Sequence, residues 1–99
     1  MKIIYSRPAI EDVANIAAYI AEDRPGAAQH WIAIIKKRVR DLRAVPLIGR
    51  VVPEYERPDI REVFHGAYRI IYRVMADRLV VLVVMEGHRQ LTLPPEALE

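Results

Sequence analysis

The pattern of apolar and polar positions divides the chain into six regular segments. The first, Lys2-Ile3-Ile4-Tyr5-Ser6, is short and reads as a strand. From Pro8 the period changes. Ile10, Val13, Ile16, Ala17 and Ile20 recur at helical spacing, which predicts an amphipathic helix over about residues 8–22. Pro8 suits its first turn, where no N–H is needed, and Glu11 and Asp12 lie toward its positive end. Asp23-Arg24-Pro25-Gly26 breaks this helix; Asp23 or Arg24 supplies the cap and Pro25 starts a second helix. Ala28, Trp31, Ile32, Ile35, Val39 and Leu42 form the apolar stripe of that helix, while Lys36, Arg40 and Arg43 share the opposite face. So short a junction folds the two helices back on each other as an antiparallel hairpin. Pro46 ends the second helix and Gly49 marks a turn.

Residues 51–59 hold Pro53 and Pro58 among charges and read as a loop. Three strand-like segments follow: Ile60–His65, Tyr68–Met75 and Arg78–Met85. Gly66-Ala67 and Ala76-Asp77 between them are short enough for hairpin turns. The middle segment alternates, with Tyr68, Ile70, Tyr72 and Val74 on one face and Arg69, Ile71, Arg73 and Met75 on the other. The last is apolar almost throughout, as a strand buried on both faces would be. Residues 91–99 contain Pro94-Pro95, show no period and read as a flexible tail. The expected architecture is α+β: an N-terminal strand, a helical hairpin, then a three-stranded antiparallel meander. Strand and meander make a mostly antiparallel four-stranded sheet, with the hairpin on one face because both have apolar stripes to bury.

Composition narrows the class. A chain of 99 residues, 53% of them hydrophobic, supports one compact domain over residues 1–99. The absence of cysteine excludes disulfides and thiolate metal sites. The first residues lack a secretory pattern, and the longest apolar run, Leu79–Met85, is too short to span a bilayer, so a cytoplasmic place without membrane attachment is expected. The net charge of +2 is unevenly spread. Between residues 24 and 50, Arg24, Lys36, Lys37, Arg38, Arg40, Arg43 and Arg50 face a single carboxylate, Asp41. A basic helix in a nearly neutral chain fits an acidic partner; an ordinary solvated face is the other reading, and both stay open here.

The order of segments, with the residues they carry, resembles the RelE/ParE superfamily of toxins, and its ParE side more closely. The likeness rests on Gly49-Arg50-Val51-Val52-Pro53-Glu54, Ile60-Arg61-Glu62, Tyr68-Arg69-Ile70-Ile71-Tyr72-Arg73-Val74 and Glu86-Gly87-His88-Arg89-Gln90-Leu91. Tyr5-Ser6, Ala9, Asp12, Ile16 and Tyr19-Ile20 add to it, as does Pro25-Gly26-Ala27-Ala28 at the helix junction. The resemblance implies a toxin of a type II toxin–antitoxin pair. Such a toxin is neutralised by a cognate antitoxin, of the ribbon-helix-helix type with an acidic tail. Within the superfamily, ParE-like members typically poison DNA gyrase and RelE-like members cleave mRNA on the ribosome.

Cleavage of RNA through its own 2′-hydroxyl needs a base, cations on the phosphate and an acid for the leaving oxygen. The resemblance places Arg69 and Arg89 on the two arginines of RelE, but its lysines have no counterpart around Arg61, and no tyrosine follows Arg89. A second nuclease pattern, that of YoeB-like relatives, could be laid on Glu54, Arg69 and His88. Under the nuclease alternative Glu54, Arg69, His88 and Arg89 are the catalytic set. Against it, a strand-end histidine and a loop salt bridge are the plainer readings of His88 and Glu54. Under the binding alternative Lys36, Arg40, Arg43, Arg61, Arg69 and Arg89 contact antitoxin or target, with Arg61, Arg69, Arg73 and Arg89 forming a basic sheet face. Tyr68, Tyr72 and Trp31 read as core. His30 and His65 have no partner at metal-ligand spacing, and the chain shows neither a Gly-rich phosphate loop nor a Ser/His/Asp set. No cofactor, metal or small-molecule substrate is expected.

Overall fold

A computed structural model describes residues 1–99. Strand β1 (Lys2–Tyr5) leads into helices α1 (Arg7–Asp23) and α2 (Pro25–Asp41). Strands β2 (Arg50–Val51), β3 (Ile60–His65), β4 (Tyr68–Val74) and β5 (Arg78–Glu86) follow, then a short 3-10 turn at Pro95–Leu98. Both helix boundaries have a local cause. Ser6 Oγ accepts from Ala9 N at 3.1 Å, capping α1, and donates to Leu82 O of β5 at 3.0 Å. Arg24 alone separates the helices: its N–H donates to Ile20 O at 3.0 Å, and its carbonyl accepts from Ala27 N and Ala28 N. Pro25 then occupies the first turn of α2, where a missing N–H is harmless. No helix is long and apolar enough to cross a membrane.

The sheet has five strands, in the order β1-β5-β4-β3-β2. Only the β1–β5 pair is parallel. The four-stranded expectation is corrected by β2, where Arg50 and Val51 pair with Glu62 and Arg61 in a stretch the sequence assigned to turn and loop. Two residues between a turn and a proline leave too little alternation to signal a strand. Gly66, at φ +55°, provides the tight turn between β3 and β4.

The helical hairpin packs on one face. Trp31, Ile35 and Val39 of α2, with Leu42 just past its end, join Ala9 and Ala17 of α1 over Ile70, Tyr72, Leu79, Val81 and Val84 of the sheet. The other face is covered as well. Val52, Ile60, Ile71 and Leu82 are buried there beneath Leu91 and Leu93, with Tyr55, Ala97 and Leu98 packed around them. The expected flexible tail is thus a packed strap, and its alternate leucines are the reason. The all-apolar run of β5 follows from having covers on both faces. A bulge adds to it: the partners shift between Ile71, opposite Val83, and Tyr72, opposite Val81, leaving Leu82 as the extra residue.

Candidate functional site

On the strap-covered face, β4 and β3 place Arg69 and Glu62 in the interior. Arg69 is 4% exposed and Glu62 1%, a depth that charged side chains reach only when paired. Arg69 Nε donates to Glu62 Oε1 at 2.6 Å. Its Nη1 and Nη2 donate to Glu54 Oε2 and Oε1, both at 2.9 Å, a bidentate fork. The second oxygen of Glu62 accepts from Arg50 Nε at 2.6 Å. Glu54, on the β2–β3 loop, also accepts from Leu91 N at 3.3 Å and so ties the strap to the chain. The bonds from Arg69, helped by the Leu91 amide, lower the Glu54 pKa to about 2. The two carboxylates in turn raise that of Arg69.

Further along the same face, Asp59 accepts from Arg57 and Arg73, and its carboxyl is held below its ordinary range, chiefly by Arg57. Arg57 and Arg73 also donate to Leu98 O and Ala97 O. The expected basic sheet face is therefore corrected. Arg69 and Arg73 point away from the helices, as the alternation required, but each meets carboxylates and lies under the strap. Arg61 is taken up too, donating to Pro58 O, Leu47 O and Gly49 O. Sequence reasoning missed Glu62 and Asp59 as the partners that take up the charge of Arg69 and Arg73. An acid two residues out of register across a strand pair leaves no periodic signal.

Glu54 and His88 lie in different surroundings. The His88 side chain is 93% exposed at the end of β5, with Nδ1 2.6 Å from Glu86 Oε1. That carboxylate raises the histidine pKa, and the histidine lowers that of Glu86. Arg89, also exposed, borders an open cleft of about 440 Å³ together with Asp12, Asn15, Tyr19, Tyr68 and Glu86. Asp12 accepts from Val84 N at 3.0 Å, and its burial beside β5 raises its pKa. No three His, Asp or Glu side chains gather in a way that would hold a metal ion.

The cations of α2 are arranged differently. Lys36 and Arg40 on α2, and Arg43 in the turn just beyond its end, are exposed, and no carboxylate lies within ion-pair distance of them. Beside them Tyr5, Ile10, Val13, Ala14, Ile32 and Ile35 line an apolar groove of about 380 Å³, with Lys36 at its rim. Ile10, 57% exposed, stands in that groove with no cover.

Comparison with known proteins follows the same lines. Residues 3–91 match the family described as ParE toxin of the type II toxin–antitoxin system parDE. Among solved structures, one from the chromosomal ParDE toxin–antitoxin system of P. aeruginosa superposes with a TM-score of 0.74 at 21% identity, over 87% of this chain and 95% of that one. One from the RelBE2 toxin–antitoxin complex of Mycobacterium tuberculosis superposes with a TM-score of 0.61 at 20% identity, over 86% and 95%. No curated protein matches the chain in sequence. The family match spans most of the chain and the fold agrees with it: the chain belongs to the ParE toxin family of type II toxin–antitoxin systems.

Proposed function

We propose that this toxin inhibits growth by gripping an essential target, DNA gyrase, and not by cutting RNA. The observation that carries this reading is the state of Glu54 and Arg69. A general base must exchange protons near the working pH, and a carboxyl with a pKa of about 2 is a poor one. All three guanidinium nitrogens of Arg69 already donate to Glu54 and Glu62, so binding a phosphate would mean breaking buried charged bonds. His88 faces solvent with Glu86 as its partner.

The cognate antitoxin is the second half of the reading. An amphipathic helix from an acidic, partly disordered tail would set apolar side chains into the groove of Tyr5, Ile10, Val13 and Ile35, and carboxylates against Lys36 and Arg40. The ParDE and RelBE2 neighbours come from toxin–antitoxin systems, which supports such a partner. Opposite charge would speed the encounter, and salt would screen it.

Induction in cells tests the target. A gyrase poison gives filamentous cells with a DNA-damage response while transcripts stay intact, and the His88→Ala variant stays toxic. Early arrest of translation with cut transcripts, abolished in His88→Ala at unchanged folding, would establish the nuclease alternative of Glu54, Arg69, His88 and Arg89 instead. For the antitoxin, the association rate should drop with rising salt and in Lys36→Glu/Arg40→Glu. A rate indifferent to both would make the basic helix an ordinary solvated face.

A further inference from the structure

Between α2 and β2 the chain turns a corner whose apolar side chains point outward. Val45 is 50% exposed, Leu47 58% and Ile48 67%. Two other exposed apolar side chains have a neighbour or a place: Ile10 lines the helical groove, and Phe64 lies under the Arg50 guanidinium at 5.3 Å. The corner has neither. With Pro46 its three side chains border only a shallow hollow of about 410 Å³, open to solvent.

The backbone beneath is firmly fixed. Ile48 N donates to Val45 O at 3.0 Å, closing the turn. The fully buried Tyr72 hydroxyl donates to Pro46 O at 2.7 Å and accepts from Gly49 N at 3.0 Å. Arg61 Nη1 holds Leu47 O at 3.2 Å and Gly49 O at 3.0 Å. Glycine is needed at 49, since a Cβ there would lie 2.5 Å from the Tyr72 hydroxyl and 2.6 Å from Glu62 O. A loop that only connected α2 to β2 would not need five such bonds, nor would it gain by turning Leu47 and Ile48 to water. Apolar side chains carried on a backbone that is fixed before contact leave less entropy to lose on binding, which is what a binding anchor requires.

The charge at the corner indicates what would cover it. Arg61 bonds three carbonyls and no carboxylate, so its positive charge stays uncompensated directly beneath Leu47. Arg43, exposed two residues before Val45, has no ion pair either. We propose that Val45, Leu47 and Ile48 form a preformed docking corner that seats on the toxin's protein target, against an apolar ridge flanked by carboxylates. The proposal deepens the binding reading given above and rests on it. The corner shares no residue with the helical groove assigned to the antitoxin, so the two contacts are separable by mutation.

The test is the double variant Leu47→Ser/Ile48→Ser, with Arg43→Glu as an independent exposed change. Both are compared with wild type at equal soluble level for growth inhibition on induction, melting temperature and affinity for the antitoxin encoded beside the toxin. Truncating a central apolar anchor typically weakens a protein contact about tenfold or more. The double variant should therefore need at least about tenfold more toxin for the same growth arrest, with melting and antitoxin affinity unchanged. Arg43→Glu should move toxicity in the same direction. Full toxicity in both variants would overturn the proposal. So would lost antitoxin affinity, which would make the corner part of the antitoxin contact, or a wild-type dimer that the double variant dissolves. The wild-type arm separates this from the reading beneath it. Cut transcripts on induction would remove the binding reading and the corner with it. Filamentation with intact transcripts and full toxicity in both variants would remove the corner alone.

Discussion

The two faces of the sheet are both buried, but by different means. The helix face has two amphipathic helices whose backbone groups satisfy one another, so its cover needs only apolar stripes, and it holds a cluster of 12 buried residues. The opposite face is covered by a loop and a strap with almost no regular structure, over a cluster of 6. Irregular backbone must find its hydrogen bonds elsewhere, and here side chains supply them. Glu54 takes Leu91 N, the Tyr55 hydroxyl takes Leu93 N, Arg57 holds Leu98 O and Arg73 holds Ala97 O. The buried charges of this molecule, Glu62 and Arg69, therefore mark the face that lacks helices, and charged side chains act there as fasteners.

The comparison is broken most directly at Arg69. Replacing it with Met leaves buried Glu62 with Arg50 as its one remaining partner and strips Glu54 of its fork, a loss of about 3–5 kcal/mol for breaking a buried ion pair. Denaturant unfolding measures it; a loss below about 1 kcal/mol would mean that the network is not what fastens this face.

A matched pair sharpens the contrast. Ile35→Ala, on the helix face, should cost about 2–5 kcal/mol in one cooperative transition. Leu93→Ala, beneath the strap, should cost less globally, because the strap can lift while the sheet and helices stay folded. Hydrogen exchange separates them: in Leu93→Ala the amides of Leu91 and Leu93 should lose protection while those of β5 keep theirs. Equal loss along β5 would show the two covers to be one cooperative unit.

The smallest effect is expected from pH. Glu54 titrates at about 2 in the folded chain against an ordinary 4.5, so its stabilising contribution is complete above about 4.5 and is lost as pH falls from there toward 2. Asp59 is displaced in the same direction. Acid should thus loosen the strap first, raising proteolysis at the C-terminal end while Trp31, packed edge-on to Tyr68 on the helix face, keeps its native fluorescence. Simultaneous loss of both signals would contradict this order.

The helix face was legible in the sequence. Helical spacing located both helices, Arg24 and Pro25 marked their junction, and the alternation of Tyr68, Ile70, Tyr72 and Val74 assigned those side chains to the helix-covered side. Trp31 and Tyr72 are core, as their stripes required. The strap face was not legible, because its cover has no period and its fastening bonds join residues far apart in the chain. Glu54 and Arg69 are separated by 15 positions, and Glu54 and Leu91 by 37. Arg69 was correctly placed on its face, yet its burial depended on Glu62, which contributes nothing to a hydrophobic pattern. The exposure of Leu47 and Ile48 was equally hidden, since an apolar residue after a helix reads as core until its surroundings are known.

The bulge at Leu82 makes β5 a strand with a change of phase. Up to Val81 the odd-numbered side chains face the helices; beyond it Val84 does. A deletion at Leu82 would restore unbroken pairing with β4, keep Val81 and Val84 toward the helices and cost only a side chain beneath the strap; a deletion elsewhere in β5 would exchange the inner and outer side chains on one side of the cut. Where the exchanged side includes Val84, Asp12 would lose the amide that it now holds, and α1 its lateral tie to the far half of the strand. Relatives should therefore tolerate many substitutions along β5, apolar for apolar, but not a change in its length away from the bulge. An alignment should show gap-free segments on either side of it even where no single residue recurs.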